Sequence, residues 1–195
     1  MDLEKLLCFK EWGSIKLVRN EIFNFKNRAI VETEDIILPN NNNLKLFRLR
    51  FLPFTVSILP LFTKQKSVVL IKQYRPAINK YIIEVPAGVA EKNEIPEEVA
   101  KRELKEETGL LAKSLIQAAK GYVSPGYSTE YMYYYVALDP DIGLASPEST
   151  EIIEPIKLKL DEAIKLIERG EIEDSKTILL LFYAKNNIST LSQAI

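Results

Sequence analysis

Residues 88–110 read GVAEKNEIPEEVAKRELKEETGL. Gly88 is followed after five residues by Glu94. Seven residues later come Arg102, Glu103 and Leu104, then Glu106, Glu107, Gly109 and Leu110 at fixed intervals. The spacing is G-x5-E-x7-R-E-U-x-E-E-x-G-U, with U aliphatic, and every fixed position is filled. Seven fixed residue types at about 7% usage each make a chance match on the order of one per hundred million start points. Ordinary composition does not account for this stretch.

From Pro96 onward the stretch reads as a helix packed on one side. Proline suits the first helical position, and Glu97 and Glu98 suit the positive N-terminal end. Val99, Ala100 and Leu104 form a small apolar side to lie on a sheet, and Gly109 fits a C-cap. Glu97–Lys101 and Glu98–Arg102 are i,i+4 pairs of favourable sign. To this point a solvated amphipathic face explains the residues. The last turn does not follow. Glu103 and Glu107 are like charges at i,i+4, Glu103 and Glu106 at i,i+3, and Glu106 and Glu107 sit at the negative end of the helix. Each misplacement costs about 0.3–0.5 kcal/mol. A divalent cation among the carboxylates relieves all of them, so neutralising Glu103 or Glu107 is expected to raise metal-free stability. Magnesium prefers hard carboxylate oxygens together with substrate phosphates.

On the N-terminal side, YIIEVPAG (81–88) runs straight into the stretch, and VVLIKQYR reads as a buried strand that leaves the core at Tyr74 and Arg75. Phe54–Phe62 reads as another strand, which Pro60 is expected to end or kink. SIKLVRNEIFNFK, RAIVETEDIIL and LKLFRLRFL are strand-like, rich in β-branched and aromatic residues. Asn40–Asn43 form a turn, since asparagine tolerates positive φ. Residues 1–12 are expected to be a short helix or an irregular lead-in. On the C-terminal side, Ile116–Val123 and Thr129–Leu138 read as strands around the turn SPGYS. Residues 139–151, with two prolines, a glycine and several acids, read as a mobile loop. Ile152–Leu158 is a further strand, and Asp161–Arg169 and Ser175–Lys185 are amphipathic helices. Strands and helices mix without regular βαβ alternation, which predicts an α+β fold.

Composition narrows the chemistry. The 195 residues carry a net charge of −1, so no electrostatic footprint for nucleic acid is present. There is no histidine and a single cysteine, Cys8. Ser-His-Asp and Cys-His nucleophiles, cysteine-based zinc sites and internal disulfides are therefore excluded. No apolar run approaches the ~20 residues of a membrane span and no signal-peptide pattern is seen, so a cytoplasmic location is expected.

The 88–110 pattern resembles the signature box of Nudix hydrolases, which cleave a nucleoside diphosphate linked to another moiety. Two flanking segments narrow the resemblance. QYRPAINKYIIEVPAG resembles the Q-Y-R and E-x-P-A-G segments of ADP-ribose pyrophosphatases. SPGYSTE resembles that group's S-P-G-x-S-x-E, with Pro125 about fifteen positions past the box. The likeness covers residues 68–185; over the N-terminal strands only element order matches. The four-cysteine zinc cluster of the NADH-specific branch and the coenzyme A motif are absent.

The resemblance implies a mixed β-sheet sandwiched between α-helices, with an N-terminal antiparallel strand extension over residues 1–52 and the hydrolase domain over 53–195. It implies that Glu103, Glu106 and Glu107, with the carbonyl of Ala87, hold Mg2+, Mn2+ being the alternative. Gly88, Glu94, Arg102 and Gly109 would be structural, Glu94 and Arg102 as an ion pair. Arg75 would contact a substrate phosphate and Glu130 the terminal ribose. Besides Glu107, the catalytic candidates are Glu151 and Glu148, because related enzymes place the general base on a flexible acidic loop, here 139–151. Metal-bound glutamates would be poor proton acceptors. The expected reaction is hydrolysis of ADP-ribose, or a related nucleoside diphosphate sugar, to AMP and ribose 5-phosphate. The alternatives are another nucleoside diphosphate derivative, or a Nudix-fold binding module without catalysis. The expected partner is a small nucleotide, with no nucleic acid and no membrane. A homodimer joined through the N-terminal strands is also expected, because their exposed edges need cover.

Overall fold

The computed structural model describes residues 16–26, 28–38, 40–145 and 152–194. The chain folds as two units, one formed by the N-terminal strands to Leu52 together with Tyr122–Glu130, the other by Pro53–Gly121 and Tyr131 onward. Glu148, Glu151 and the possible lead-in helix lie outside the described residues.

The first unit is an antiparallel sheet of β1 (Lys16–Phe25), β2 (Ala29–Ile37) and β3 (Asn43–Phe51), in that order. Asn41 takes φ 62° in the β2–β3 turn, and the Asn40 side chain accepts a hydrogen bond from the Asn42 N–H at 3.1 Å. The buried face of this sheet carries charged side chains. The face of Glu32 and Glu34 is buried, its carboxylates bonded by Arg48, Arg50 and Arg19. The other face exposes Val18, Phe23, Phe25 and Phe47. A bulge between Glu21 and Phe23 shifts the register by one residue, so Phe23 and Phe25 join Val18 on that apolar face. The segment Tyr122–Glu130 is tied to β3 by Leu49 N–H to Tyr127 C=O (2.7 Å) and Thr129 N–H to Leu49 C=O (2.9 Å).

The second unit contains β4 (Thr55–Phe62), β5 (Ser67–Arg75), a 3-10 turn (Pro76–Ile78), β6 (Lys80–Glu84), β7 (Ala87–Val89) and α1 (Pro96–Thr108). These are followed by β8 (Leu110–Leu111), β9 (Ser114–Tyr122), β10 (Tyr131–Leu138), β11 (Asp141–Ile142), β12 (Ile153–Lys159), α2 (Leu160–Glu168) and α3 (Ser175–Leu191). The sheet order is β12-β5-β4-β10-β9, with β10 parallel to β4. Alternation sorts the side chains of the central strands between two cores. Val56, Ile58, Val69, Tyr135 and Ala137 face α1, where Val99, Ala100 and Leu104 are fully buried. Leu59, Leu61, Val68, Leu70, Val136 and Leu138 face α2 and α3. The result is a mixed sheet between helices, as expected. Strands β4 and β5 pair only at Leu61–Val68 and Phe62–Ser67; beyond that β7 pairs with β4 and β6 with β5. The segment leading into α1 is thereby fixed in the middle of the sheet.

Three local expectations are corrected. Pro60 does not end its strand: it pairs with Ala137 inside β4, and on its other side no strand is in register to require its missing N–H. The 139–151 loop begins with a strand, because Asp141 and Ile142 pair with Leu111 and Leu110 of β8. Helix α3 runs on to Leu191, six residues past Lys185, and starts at an Asp174 cap whose carboxylate accepts the Thr177 N–H at 3.0 Å.

Candidate active site

Helix α1 starts with Pro96 in its first turn and ends on Gly109 in the left-handed region, φ 71°, whose N–H donates to the Lys105 carbonyl. This orientation aims the last turn at β7. Glu107 is buried there and accepts the Ala87 N–H at 3.0 Å. Glu103, one turn earlier, is also buried, and its carboxylate lies over Gly88 so closely that a Cβ would overlap it. Gly88 does not have positive φ, so close approach alone explains glycine at this position.

Arg102 is the hub of this cluster. Its Nε and Nη2 donate to the Glu94 carboxylate at 2.8 and 3.0 Å, Nη1 to Glu103 at 2.7 Å and Glu106 at 3.1 Å, and Nη2 also reaches the Val89 carbonyl at 3.2 Å. The Glu94–Arg102 contact is therefore formed, and Glu94 also accepts the Glu91 N–H at 2.7 Å. The side-chain bond from Arg102 holds the Glu94 carboxyl below its ordinary value. The same bond, against burial and aided by Glu103 and Glu106, raises the pKa of Arg102. The expected Glu98–Arg102 and Glu97–Lys101 pairs do not form. Glu98 accepts the Ile95 N–H at 3.2 Å and Glu97 accepts the Tyr135 hydroxyl at 3.0 Å.

As they stand, no three acidic residues among those described are gathered tightly enough to hold an ion. Arg102 Nη1 lies between Glu103 and Glu106 and supplies positive charge there. The donor set nonetheless fits a hard divalent ion. It consists of carboxylates, two of them buried, set against a backbone strip left bare of side chain at Gly88.

Beside this cluster, Arg75 at the end of β5 puts Nε and Nη2 on the two oxygens of Glu84, at 2.7 and 2.8 Å. Burial alone would lower the pKa of Arg75, but bonding to Glu84 and the charges of Glu84, Glu107 and Asp174 raise it. Glu84 is fully buried and also receives Lys176 Nζ at 2.5 Å. Sequence reasoning missed Glu84, Lys176 and Asp174. For Glu84 the signals were an acid inside the apolar run YIIEVP and its place in the E-x-P-A-G segment. Glu130 lies in the other unit, where its N–H donates to Ser128 Oγ at 3.0 Å and its carbonyl accepts the Val123 N–H. In that unit Glu34, Arg48, Tyr122 and residues 125–129 line an open cavity of about 270 Å³.

Residues 52–181 match the NUDIX domain. The chain is 35% identical over 169 residues to an ADP-ribose pyrophosphatase of Bacillus subtilis, covering 86% of this chain and 90% of that one. It is also 35% identical over 162 residues to a methanol dehydrogenase activator of Bacillus methanolicus, covering 82% and 86%. Against a GDP-mannose pyrophosphatase of Escherichia coli K12 it is 35% identical over 140 residues, covering 67% and 73%. A crystal structure of an ADP compounds hydrolase superposes with a TM-score of 0.82 at 21% identity, over 93% of this chain and 98% of that one. That likeness establishes the fold.

Proposed function

The chain belongs to the Nudix family and is a pyrophosphohydrolase, and on that premise we propose that it hydrolyses the pyrophosphate bond of ADP-ribose with Mg2+. The products are AMP and ribose 5-phosphate. The carrying observation is the last turn of α1, where Glu103 and Glu107 are buried against Gly88 and Ala87 with Glu106 beside them.

Glu103, Glu106 and Glu107, with the Ala87 carbonyl, are the residues to hold the metal; when bound, it screens the pyrophosphate charge and lowers the pKa of the attacking water. Arg102 and Glu94 keep α1 in register with the loop before it. Arg75 donates to a phosphate oxygen, since a guanidinium edge matches phosphate geometry. Glu130 accepts hydroxyls of the terminal ribose. Glu151 takes the proton of the attacking water, with Glu148 the alternative. In support, the chain re-enters the described region at Ile152, whose carbonyl accepts the Tyr74 N–H next to Arg75.

The test is product analysis. With ADP-ribose and Mg2+, AMP and ribose 5-phosphate are expected in equal amounts, lost with chelator and regained with metal. A panel including GDP-mannose separates the second reading, which the Escherichia coli relative favours. A higher kcat/KM for GDP-mannose would replace ADP-ribose as the substrate. No hydrolysis across the panel would favour a binding module, although such a module has no need of the intact set of glutamates.

A further inference from the structure

Glu84 is a fully buried carboxylate that takes three charge-assisted hydrogen bonds, two from Arg75 and one from Lys176. The Arg75 fork already covers both of its oxygens. Lys176 comes from a different element, α3, and is itself largely buried. Burying a second cation beside a satisfied pair is costly in desolvation and adds little to stability. Its presence calls for another explanation.

Lys176 reaches Glu84 Oε2, the oxygen that also receives Arg75 Nη2. Two cations thus face two carboxylates, Glu84 and Asp174, and the network fixes the orientation of Arg75. Its Nη1 takes no hydrogen-bond acceptor among the described residues. Lys176 is fixed from behind by Asp174 Oδ1 at 2.8 Å. The other Asp174 oxygen accepts the N–H and the hydroxyl of Thr177, and the Thr177 oxygen accepts the Val85 N–H at 2.8 Å. Glu84 and Val85 are thus both tied to the first turn of α3. Two residues further on, Ala87 holds Glu107.

We propose that Lys176 is a positioning residue for the hydrolysis: through Glu84 it holds Arg75 in one orientation, with Nη1 directed to the substrate pyrophosphate. The proposal rests on Arg75 contacting a phosphate. Lys176 touches no substrate and acts on binding through Arg75. Because that contact exists before the chemical step as well as during it, loss of Lys176 raises KM and leaves kcat nearly unchanged.

The experiment measures kcat and KM for ADP-ribose in Lys176→Met, Lys176→Arg, Arg75→Met and the Arg75→Met/Lys176→Met double variant, with melting temperatures alongside. Affinity for ADP-ribose is measured by calorimetry in a Glu107→Gln background. Lys176→Met is expected to raise KM and weaken calorimetric binding about tenfold, with kcat within about twofold. Lys176→Arg restores most of the loss, and in the Arg75→Met background Lys176→Met adds nothing further. If Lys176→Met does not fold, Lys176→Gln, which keeps a donor but no charge, replaces it with the same expectation. An unchanged KM in the lysine variant, with Arg75→Met impaired, would overturn the positioning role and leave the phosphate contact standing. An unchanged KM in Arg75→Met would remove the phosphate contact itself. A parallel loss of melting temperature and kcat, without rescue by arginine, would make Lys176 a structural strut.

Discussion

Replacing Gly88 by alanine separates folding from catalysis at one atom. Gly88 does not have positive φ, so alanine adopts its backbone without strain. The whole effect comes from the new Cβ, which overlaps the Glu103 carboxylate. That group ends a flexible side chain, so Glu103 turns away and β7 stays in place. The loss is then the 2.7 Å bond from Arg102. A charge-assisted bond contributes about 1.5–3 kcal/mol, and the low end applies because Arg102 keeps Glu94, Glu106 and Val89. Alanine offsets ~0.4–1 kcal/mol of this by restricting the unfolded chain. The net is about 1 kcal/mol, or a melting temperature lower by about 2–4 °C for a chain of this size. Turnover, in contrast, falls about 100-fold or more, because Glu103 no longer reaches the metal position. Calorimetric melting and AMP release from ADP-ribose read the two quantities. Turnover within threefold of wild type would show that Glu103 is not needed where it stands. A melting temperature lowered by more than about 10 °C would show that the strand, and not the side chain, had given way.

Glu107→Gln is expected to keep the fold and lose at least ~100-fold in turnover at saturating magnesium; near-normal turnover would remove it as a ligand. Glu103→Gln is expected to lower metal-free stability, reversing the expectation from helix charges alone, because it weakens the bond from Arg102; differential scanning in chelator decides the sign. Glu151→Gln is expected to lower turnover ~100-fold with metal affinity unchanged, and Glu148→Gln less, since a general base acts outside the metal shell; reversed effects in single-turnover assays would move the base to Glu148. A dimer mass by light scattering at micromolar concentration is expected from the apolar face of Val18, Phe23, Phe25 and Phe47, and a monomer would contradict it. Because Arg102 holds Glu94 below its ordinary 4.5, that carboxylate's stabilisation is present above pH 4.5 and lost as pH falls through the lower folded value. Glu94→Gln should therefore flatten the acid limb of the stability curve.

Much of the second unit was legible because its signals are local. Pro96 and Gly109 bound α1, the alternation of β4, β5 and β10 sorts their side chains between two cores, and the fixed spacing brings Glu103 and Glu107 to one face. Failures came where the outcome depends on a neighbour remote in sequence. Pro60 is tolerated only because β5 and β7 both leave its flank open, and the pairing of Asp141–Ile142 requires β8, some thirty residues away. The faces of the first unit are likewise set by a feature that composition does not mark. A bulge at one residue transfers Phe23 and Phe25 to the opposite face, and periodicity carries no mark of it.

The site shows the same division with a chemical consequence. The like charges of Glu103, Glu106 and Glu107 pointed to a cation, but the folded chain supplies part of the neutralisation itself. Arg102 covers Glu103 and Glu106, and the Ala87 N–H and nearby Arg75 charge act on Glu107. Without metal the last turn is therefore compensated, and the helix can fold before the ion arrives. If an ion bound as proposed drew those oxygens of Glu103 and Glu106 away, Arg102 would still have two bonds to Glu94 and one to Val89. Glu94 thus does more than brace the loop. It would give a guanidinium displaced by the proposed ion a partner, with only two of Arg102's five contacts exchanged.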